Sequence, residues 1–282
     1  MKTKIVFAEK SLCYGTWHVE GPTRVKIAYE ILKEKGYDFV EPQPASEEDL
    51  LRVHDPEYLW NLKKGLVEDS DTPAYDNIFA FARLSAGGAL LAAKIGGFSL
   101  MRPPGHHAGP NGAAMGNYTR GFCYLNNIAI AVKAMAKPTL ILDIDGHHGN
   151  GTQEVFQGDK TVTYISTHRS PHYPGTGLTS EGNSFNYPLP ADCGEEMFLK
   201  TLQKAISKVD LGKIELVAVS AGFDTHQGDL ASLGLTEQSF WKTGKIIAEL
   251  KKPTFFVLEG GYMGQKNGYD IDMFLKGYEE NL

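Results

Sequence analysis

Polar clusters follow three apolar runs of the chain, and the first cluster has the residue types of a metal site. TLILD continues into DGHHGN, LVAVS into AGFD, and TFFVL into EGGY. In an extended segment side chains alternate, so Asp143, Asp145 and His147 are predicted to point to one side. An apolar run feeds directly into them, which favours a metal site over a solvated loop. Asp and His ligands without a nearby Cys suit zinc or iron at a catalytic centre.

Other polar residues could supply proton transfer and charge stabilisation. His106 and His107 lie in the Pro/Gly-braced segment RPPGHHAG, whose restricted backbone favours proton-transfer groups over surface histidines. Asp224 ends the run LVAVS, where it could equally cap a helix or occupy a loop. Tyr262 follows a glycine pair and could simply pack, but its hydroxyl also suits donation to a developing oxyanion.

The elements that must position these clusters alternate between strand-like and helix-like patterns. Short β-rich apolar runs cover 4–8, 139–142, 162–165, 216–220 and 254–258, with helical periodicity between them. This alternation predicts an α/β fold of three layers, with a mostly parallel sheet between helices. Ligand sites in such sheets form outside the carboxyl ends of the strands, which is where the polar clusters fall.

Some helix boundaries carry capping signals. Ser46 with Asp49 predicts a capping box ahead of Leu50. Asp76 is predicted to cap a long apolar helix that ends at Gly96. Two more amphipathic helices are predicted over 195–209 and 236–250.

Length and composition restrict the classes of protein to consider. The chain has 282 residues and a net charge of −6, which argues against broad binding to nucleic-acid backbones. No stretch approaches the roughly 20 apolar residues of a membrane span. The charged first 15 residues do not resemble a signal peptide, and three scattered cysteines indicate reduced thiols, so a cytoplasmic location is expected. Without repeats or linkers, one domain over 1–282 is predicted.

Taken together, the motifs resemble the zinc-dependent histone deacetylases and their prokaryotic relatives, the acetylpolyamine amidohydrolases and acetoin-utilisation proteins. RPPGHHAGP, GFCYLNN, DIDGHHGNGTQEVF, PGTG, SAGFDTH and EGGY follow the family's order. LLRVHDPEY and DNIFAFARLSAGG also resemble family segments, so the likeness covers nearly the whole chain. The motifs look nearer to the class II and prokaryotic branch than to class I. The resemblance implies the arginase/deacetylase fold and amide hydrolysis without a covalent intermediate.

The resemblance also implies the roles of the catalytic residues. Asp143 would orient His106, and Asn150 would orient His107. His107 would be the general base and later the general acid, while His106 would act mainly electrostatically. Tyr262 would donate to the tetrahedral oxyanion. Many relatives carry Asp where Asn150 stands, so His107 should hold its proton less strongly in this chain.

Two cation sites are implied in the same way. Asp145, His147 and Asp224 would hold zinc, with Fe²⁺ as an alternative, and would leave a position open for water and the substrate carbonyl. A structural K⁺ would be held partly by main-chain oxygens near Asp143, Asp145, His147, Ser166 and Thr167.

Five positions match the family's substrate-binding residues. Gly121, Phe122 and Tyr173 match the narrow acyl-lysine tunnel, although Phe122 could also belong to ordinary core packing. Asp71 matches the rim carboxylate that binds a peptide's backbone amides. Ala231 falls where many lysine deacetylases place a bulky apolar rim residue and polyamine-specific ones place Glu.

The leading hypothesis is a zinc-dependent hydrolase that removes acetyl or other acyl groups from acyl-lysine in proteins or peptides. Hydrolysis of acetylpolyamines or other small acylated amines is the alternative, since it shares all the chemistry and differs only at the rim. A catalytically silent module that binds acyl-lysine is disfavoured because every catalytic position is filled. A manganese ureohydrolase shares the fold but would need more Asp ligands for two metal ions.

Overall fold

The computed structural model describes residues 2–15 and 17–282, and their strands form one sheet. The strands are β1 (Ile5–Val6), β2 (Phe39–Val40), β3 (Phe98–Ser99), β4 (Thr139–Asp143), β5 (Val162–Arg169), β6 (Ser184–Leu189), β7 (Leu216–Ala221) and β8 (Thr254–Leu258). Their order across the sheet is β2-β1-β3-β8-β7-β4-β5-β6, and each neighbouring pair is parallel. The predicted parallel sheet is confirmed.

Helices connect the strands and cover both faces of the sheet. Within the described ranges they are α1 (Thr23–Glu34), α2 (Glu47–Leu51), α3 (Pro56–Lys63), α4 (Ile78–Ile95), α5 (Asn127–Met135), α6 (Asn150–Phe156), α7 (Gly194–Ile206), α8 (Glu237–Ala248) and α9 (Gln265–Glu279). Short 3₁₀ turns cover Glu9–Cys13 and Leu211–Lys213.

Alternation along the central strands divides the core into two apolar clusters. Leu140 and Leu142 of β4 belong to a cluster that includes side chains of α1, α7, α8 and α9. Ile141 between them belongs to the opposite cluster, which includes side chains of α4 and α5. Because both faces of β4 are covered, all five of its residues are buried. The three-layer arrangement therefore follows from strands that are apolar on both faces.

Most predicted boundaries agree with the structure to within a few residues. The capping box before α2 is confirmed, since Ser46 Oγ accepts a hydrogen bond from Asp49 N at 3.1 Å. The prediction that Asp76 caps α4 is wrong. Asn77, in the left-handed conformation with φ 59°, is the residue that precedes the helix, and no side chain caps it. Gly96 with φ 65° ends α4 as predicted.

Helix α4 is the most apolar helix of the fold. Its 18 residues have a mean hydropathy of 1.5, so by length and composition alone the helix would permit a membrane span, and the expectation that no stretch approaches one is wrong. More than half of the helix, 56%, is buried inside the fold. Its alanines pack in the same cluster as α5 and alternate strand residues, as expected for a core helix.

Candidate functional site

The predicted polar clusters meet around one cavity at the carboxyl edge of the sheet. Loops after β4, β7 and β8 converge there, joined by the histidine segment that follows β3. The cavity has a volume of about 320 Å³. Its lining residues are Asp71, Pro104, His106, His107, Gly121, Phe122, His147, His172, Tyr173, Leu230, Gly260 and Tyr262.

A candidate metal centre lies beside this cavity. Asp145, His147 and Asp224 offer ligand atoms within 4.8 Å of one another. His147 Nδ1 lies 3.1 Å from Asp145 Oδ1 and 2.7 Å from Asp224 Oδ2. Each carboxylate is anchored by its other oxygen, because Gly260 N donates to Asp145 Oδ2 and Gly146 N donates to Asp224 Oδ1. The remaining oxygens are therefore aimed at a common point.

Electrostatics at this cluster favour a bound cation. Burial alone would lower the pKa of His147, but Asp224 and Asp145 outweigh it and raise that pKa to about 10. Burial and the Asp145 charge raise the pKa of Asp224 to about 6. Two fully buried carboxylates need compensating positive charge, which a proton on His147 supplies in the absence of metal. A divalent cation would replace that proton, because a histidine must be neutral to bind metal.

Asp143 is not one of the three candidate ligands and pairs with His106, as the resemblance implied. Its Oδ2 contacts His106 Nδ1 at 3.1 Å and accepts a hydrogen bond from Tyr164 Oη at 2.9 Å. Ile144 packs in the same apolar cluster as Leu140 and Leu142, so the alternation of β4 continues past its last residue. Asp143 and Asp145 both approach the ring of His106, at 3.1 Å and 3.8 Å, which agrees with the predicted common side for these two carboxylates. Tyr164 lies on the neighbouring strand, and the sequence offered no signal for this contact.

The two adjacent histidines have different partners and different charge states. Burial lowers the pKa of His106, but Asp143, Asp145 and Glu259 together raise it to about 10. His107 Nδ1 lies 2.7 Å from Asn150 Oδ1. Burial, followed by the charges of His106 and His147, lowers the pKa of His107 well below its usual value. The surroundings thus shift the pKa values of the two histidines in opposite directions.

Asn150 determines which nitrogen of His107 carries the proton. Asn150 Nδ2 donates to Ala114 O at 3.0 Å, which directs the amide oxygen toward His107. His107 Nδ1 must then be the donor, and Nε2 keeps its lone pair. The predicted pairing of His107 with Asn150 is present in the structure.

Tyr262 lines the cavity, with its ring enclosed by two neighbours. The Phe122 ring packs edge-on at 5.8 Å, and the Arg24 guanidinium lies 4.8 Å from the Tyr262 ring centre. Arg24 Nε also donates to Gly261 O at 2.8 Å. Burial raises the pKa of Tyr262 well above its usual value, so its hydroxyl keeps the proton. Arg24 is 238 positions away in sequence and was not predicted.

The predicted tunnel residues form one wall of the cavity. Gly121 has φ +50°, and a Cβ there would lie 2.4 Å from His107 Cδ2, so no side chain fits. The Tyr173 ring packs edge-on against His107 at 5.1 Å between centroids. Asp71 Oδ1 accepts from Gly121 N at 3.2 Å, which connects the rim carboxylate to this wall.

The rim assignment of Ala231 is wrong, because its side chain is fully buried. It packs against the chain at Gly146, where an added Cβ would lie 2.4 Å from Ala231 Cβ. The preceding residue, Leu230, lines the cavity and is 44% exposed. His172 lines the same side of the cavity, with its ring 4.9 Å from that of His147. Neither residue carried a sequence signal beyond its position beside a named motif.

The residues expected around a monovalent cation lie together where β4 meets β5. Asp143 and Ser166 are register partners on these strands, and Thr167 follows. Asp145 and His147 lie in the loop that leaves β4. Thr167 Oγ1 is buried without a hydrogen-bond partner among the described residues, as a polar atom beside a cation could be.

Fold and site together define an α/β protein with a candidate metal-dependent hydrolytic centre at the carboxyl edge of a parallel sheet. The family model of the histone deacetylase domain matches residues 18–278. A protein of Archaeoglobus fulgidus named "Probable deacetylase" is 39% identical, and the alignment covers 93% of this chain and 82% of the relative. The chain belongs to the histone deacetylase family, which confirms the resemblance.

Other relatives come from the acetylpolyamine branch. Acetylpolyamine amidohydrolase 1 of Pseudomonas aeruginosa is 36% identical over 64% of this chain and 55% of its own length. The crystal structure of an acetylpolyamine aminohydrolase from Burkholderia pseudomallei superposes with a TM-score of 0.91 at 26% identity, covering 99% of both chains. The predicted arginase/deacetylase fold is confirmed, and the chain is a hydrolase of the deacetylase type.

Proposed function

We propose that this protein is a zinc-dependent hydrolase that removes acyl groups from the side-chain nitrogen of acyl-lysine. The observation that carries the proposal is the content of one cavity. His106, His107, His147 and Tyr262 line a space of about 320 Å³, and Asp145 and Asp224 complete a three-residue cluster with His147. These are the groups that metal-assisted amide hydrolysis needs.

Asp145, His147 and Asp224 would hold the metal ion. Their donor set of two carboxylates and one imidazole fits zinc, with Fe²⁺ as the alternative. Three protein ligands leave a further position for water or substrate, as in catalytic zinc sites. When bound, the ion would polarise the substrate carbonyl and lower the pKa of a water. A K⁺ ion near Asp143 and Ser166 would support the same edge of the sheet.

The side chains of the cavity divide the proton transfers between them. His107 is neutral with a free Nε2, so it accepts a proton from the attacking water and later delivers it to the leaving amine. The Tyr262 hydroxyl donates a hydrogen bond to the oxyanion as negative charge develops there. His106, whose Nδ1 contacts Asp143, would favour the same negative charge electrostatically.

The cavity wall and rim favour acyl-lysine over a polyamine. Phe122 and Tyr173 provide aromatic walls suited to a methylene chain. Leu230 gives the rim a bulky neutral side chain, whereas a cationic polyamine would gain from a carboxylate there. Asp71 lines the same cavity and would accept hydrogen bonds from a peptide backbone. The alternative, an acetylpolyamine or another small acylated amine, is supported by the names of relatives.

A direct assay tests the proposal. Zinc-loaded and Fe²⁺-loaded protein is compared with metal-free protein on an acetyl-lysine peptide, a longer acyl-lysine peptide and acetylspermidine. We expect metal-dependent turnover with the highest kcat/KM on a peptide. A kcat/KM for acetylspermidine above the values for both peptides would show that a small acylated amine, rather than acyl-lysine, is the preferred substrate. No turnover of any substrate by the metal-loaded protein would refute the hydrolase.

A further inference from the structure

The main chain around Tyr262 is held by the carboxylate of Asp229, which lies in the loop after β7. Asp229 Oδ2 accepts hydrogen bonds from Tyr262 N at 2.9 Å and from Met263 N at 3.2 Å. Its other oxygen, Oδ1, accepts from Leu230 N at 2.6 Å. One carboxylate thus connects the backbone of the cavity tyrosine with that of the rim leucine.

The segment that carries Tyr262 needs such an external contact. Residues 259–264, called here the tyrosine loop, connect β8 to α9 and belong to neither element. Gly261 has φ +118° and Gly264 has φ +36°, and glycine allows many other conformations at both positions. Strand pairing does not satisfy the amides of Tyr262 and Met263, and the Asp229 carboxylate accepts from both, whereas Arg24 holds the carbonyl of Gly261.

We propose that Asp229 is a positioning residue for Tyr262, and that it acts through the backbone of the tyrosine loop rather than through substrate or metal. The inference rests on the proposed function, because it assigns the rate effect to the hydroxyl of Tyr262. Two charge-assisted hydrogen bonds to consecutive amides leave the peptide between them little freedom to rotate. The ring is then held between Arg24 and Phe122, so the hydroxyl keeps one place at the cavity.

Two other roles for Asp229 would look similar in a single mutant. Its negative charge helps to raise the pKa of Asp224, so its loss could change metal binding. It could also support the loop after β7 without any special connection to Tyr262. Ser232 provides a matched control for the second role, because its Oγ accepts from Gly228 N and Gly234 N of that loop and does not contact the tyrosine loop.

A double-mutant cycle with Tyr262→Phe separates these roles. Asp229→Ala should lower kcat on the acetyl-lysine peptide about 10- to 100-fold, with KM changed less than about threefold and full metal content. The effect should not exceed that of Tyr262→Phe, which removes the hydroxyl altogether. In the Tyr262→Phe background, Asp229→Ala should lower kcat by less than about threefold. If Asp229→Ala lowered kcat by the same factor in the Tyr262→Phe background as in the wild type, the proposal would be overturned. Loss of bound metal in Asp229→Ala would overturn it too.

Conservative replacement gives a second comparison. Asn at 229 can keep its one amide oxygen where Oδ2 lies, and it loses only the bond that Oδ1 accepts from Leu230 N. Asp229→Asn should therefore keep kcat within about fivefold of wild type. Ser232→Ala should leave kcat within about twofold. If Asp229→Asn were as slow as Asp229→Ala, the charge or the contact with Leu230 N would be responsible rather than the two bonds to the tyrosine loop. If Ser232→Ala were equally slow, a general loop effect would be responsible, and either result rejects the assignment.

A readout without catalysis keeps the inference separate from the proposed function. Hydrogen exchange at the amides of Tyr262 and Met263 should be slow in the wild type and in Asp229→Asn. In Asp229→Ala we expect exchange to be at least about tenfold faster, with little change in the strand amides of β8. Unchanged exchange would refute the positioning role even if the enzyme is active. Faster exchange in a protein that hydrolyses none of the substrates would refute only the proposed function.

Discussion

Asn150→Asp should shift the acid limb of the pH–rate profile to higher pH, because it changes the charge beside His107 with almost no change in side-chain shape. Asn150 is fully buried, with its Oδ1 2.7 Å from His107 Nδ1. An added carboxylate favours the protonated imidazole, so the pKa of His107 rises. Only neutral His107 can accept a proton, and kcat/KM therefore falls as the pH drops through that pKa.

The size of the shift follows from Coulomb's law. Two unit charges about 4 Å apart interact by about 1 kcal/mol in bulk water and about 4 kcal/mol at an effective dielectric constant of about 20. One pKa unit corresponds to about 1.4 kcal/mol, so the pKa of His107 should rise by about 1 to 3 units. The variant also loses the hydrogen bond from Asn150 Nδ2 to Ala114 O, which still accepts from Asn117 N at 3.1 Å, so the loss should cost about 0.5–1.5 kcal/mol of unfolding free energy.

The assay is kcat/KM of the metal-saturated enzyme on the acetyl-lysine peptide between pH 5 and pH 9, together with thermal unfolding. We expect the rate near pH 6 to fall by more than the rate near pH 8. Asn186→Asp is a matched control, because Asn186 is also buried and its amide donates to Thr179 O without contacting His107. That variant should lose stability without shifting the limb. An unshifted limb in Asn150→Asp would refute the general-base role of His107.

Three further predictions test the remaining assignments. Asp145→Asn and Asp224→Asn should each abolish activity and sharply lower metal content, because each removes an anionic ligand, and one full metal equivalent in both would contradict the site. Tyr262→Phe should keep fold and metal while kcat falls on the order of 10²–10³, and wild-type turnover would exclude the oxyanion role. Leu230→Glu should raise kcat/KM for acetylspermidine relative to the peptide about tenfold or more, whereas an unchanged ratio would show that Leu230 does not set substrate choice.

The sequence by itself determined the fold class and the residue types of the site. Buried parallel strands such as β4 and β8 are apolar on both faces, so each appears as an uninterrupted apolar run that ends in polar residues. The carboxyl ends of parallel strands share one edge, so the motifs that follow these runs are predicted to lie together from their order in the sequence alone. The capping box at Ser46 was also predictable, since both of its partners lie within four residues.

Short and irregular elements were not predictable in this way. Strands β2 and β3 have two residues each, too few for an alternating pattern, and they exist because β1 and its neighbours pair with them. Strand β6 includes Asn186 and Pro188, which weaken any strand signal. Pairing with neighbouring strands, rather than the local preferences of their own residues, determines that these segments form strands.

Only the tertiary structure decided which neighbouring residue faces the cavity and what holds the catalytic groups in place. Ala231 is buried and Leu230 reaches the rim because a small side chain fits against Gly146, a contact between residues 85 positions apart. Asp143 contacts His106 because the segment after β3 packs against the end of β4. Arg24 and Asp229 reach the tyrosine loop from two other segments of the chain. Periodicity reports which face of one element is apolar, whereas such contacts depend on how separate loops pack at the edge of the sheet.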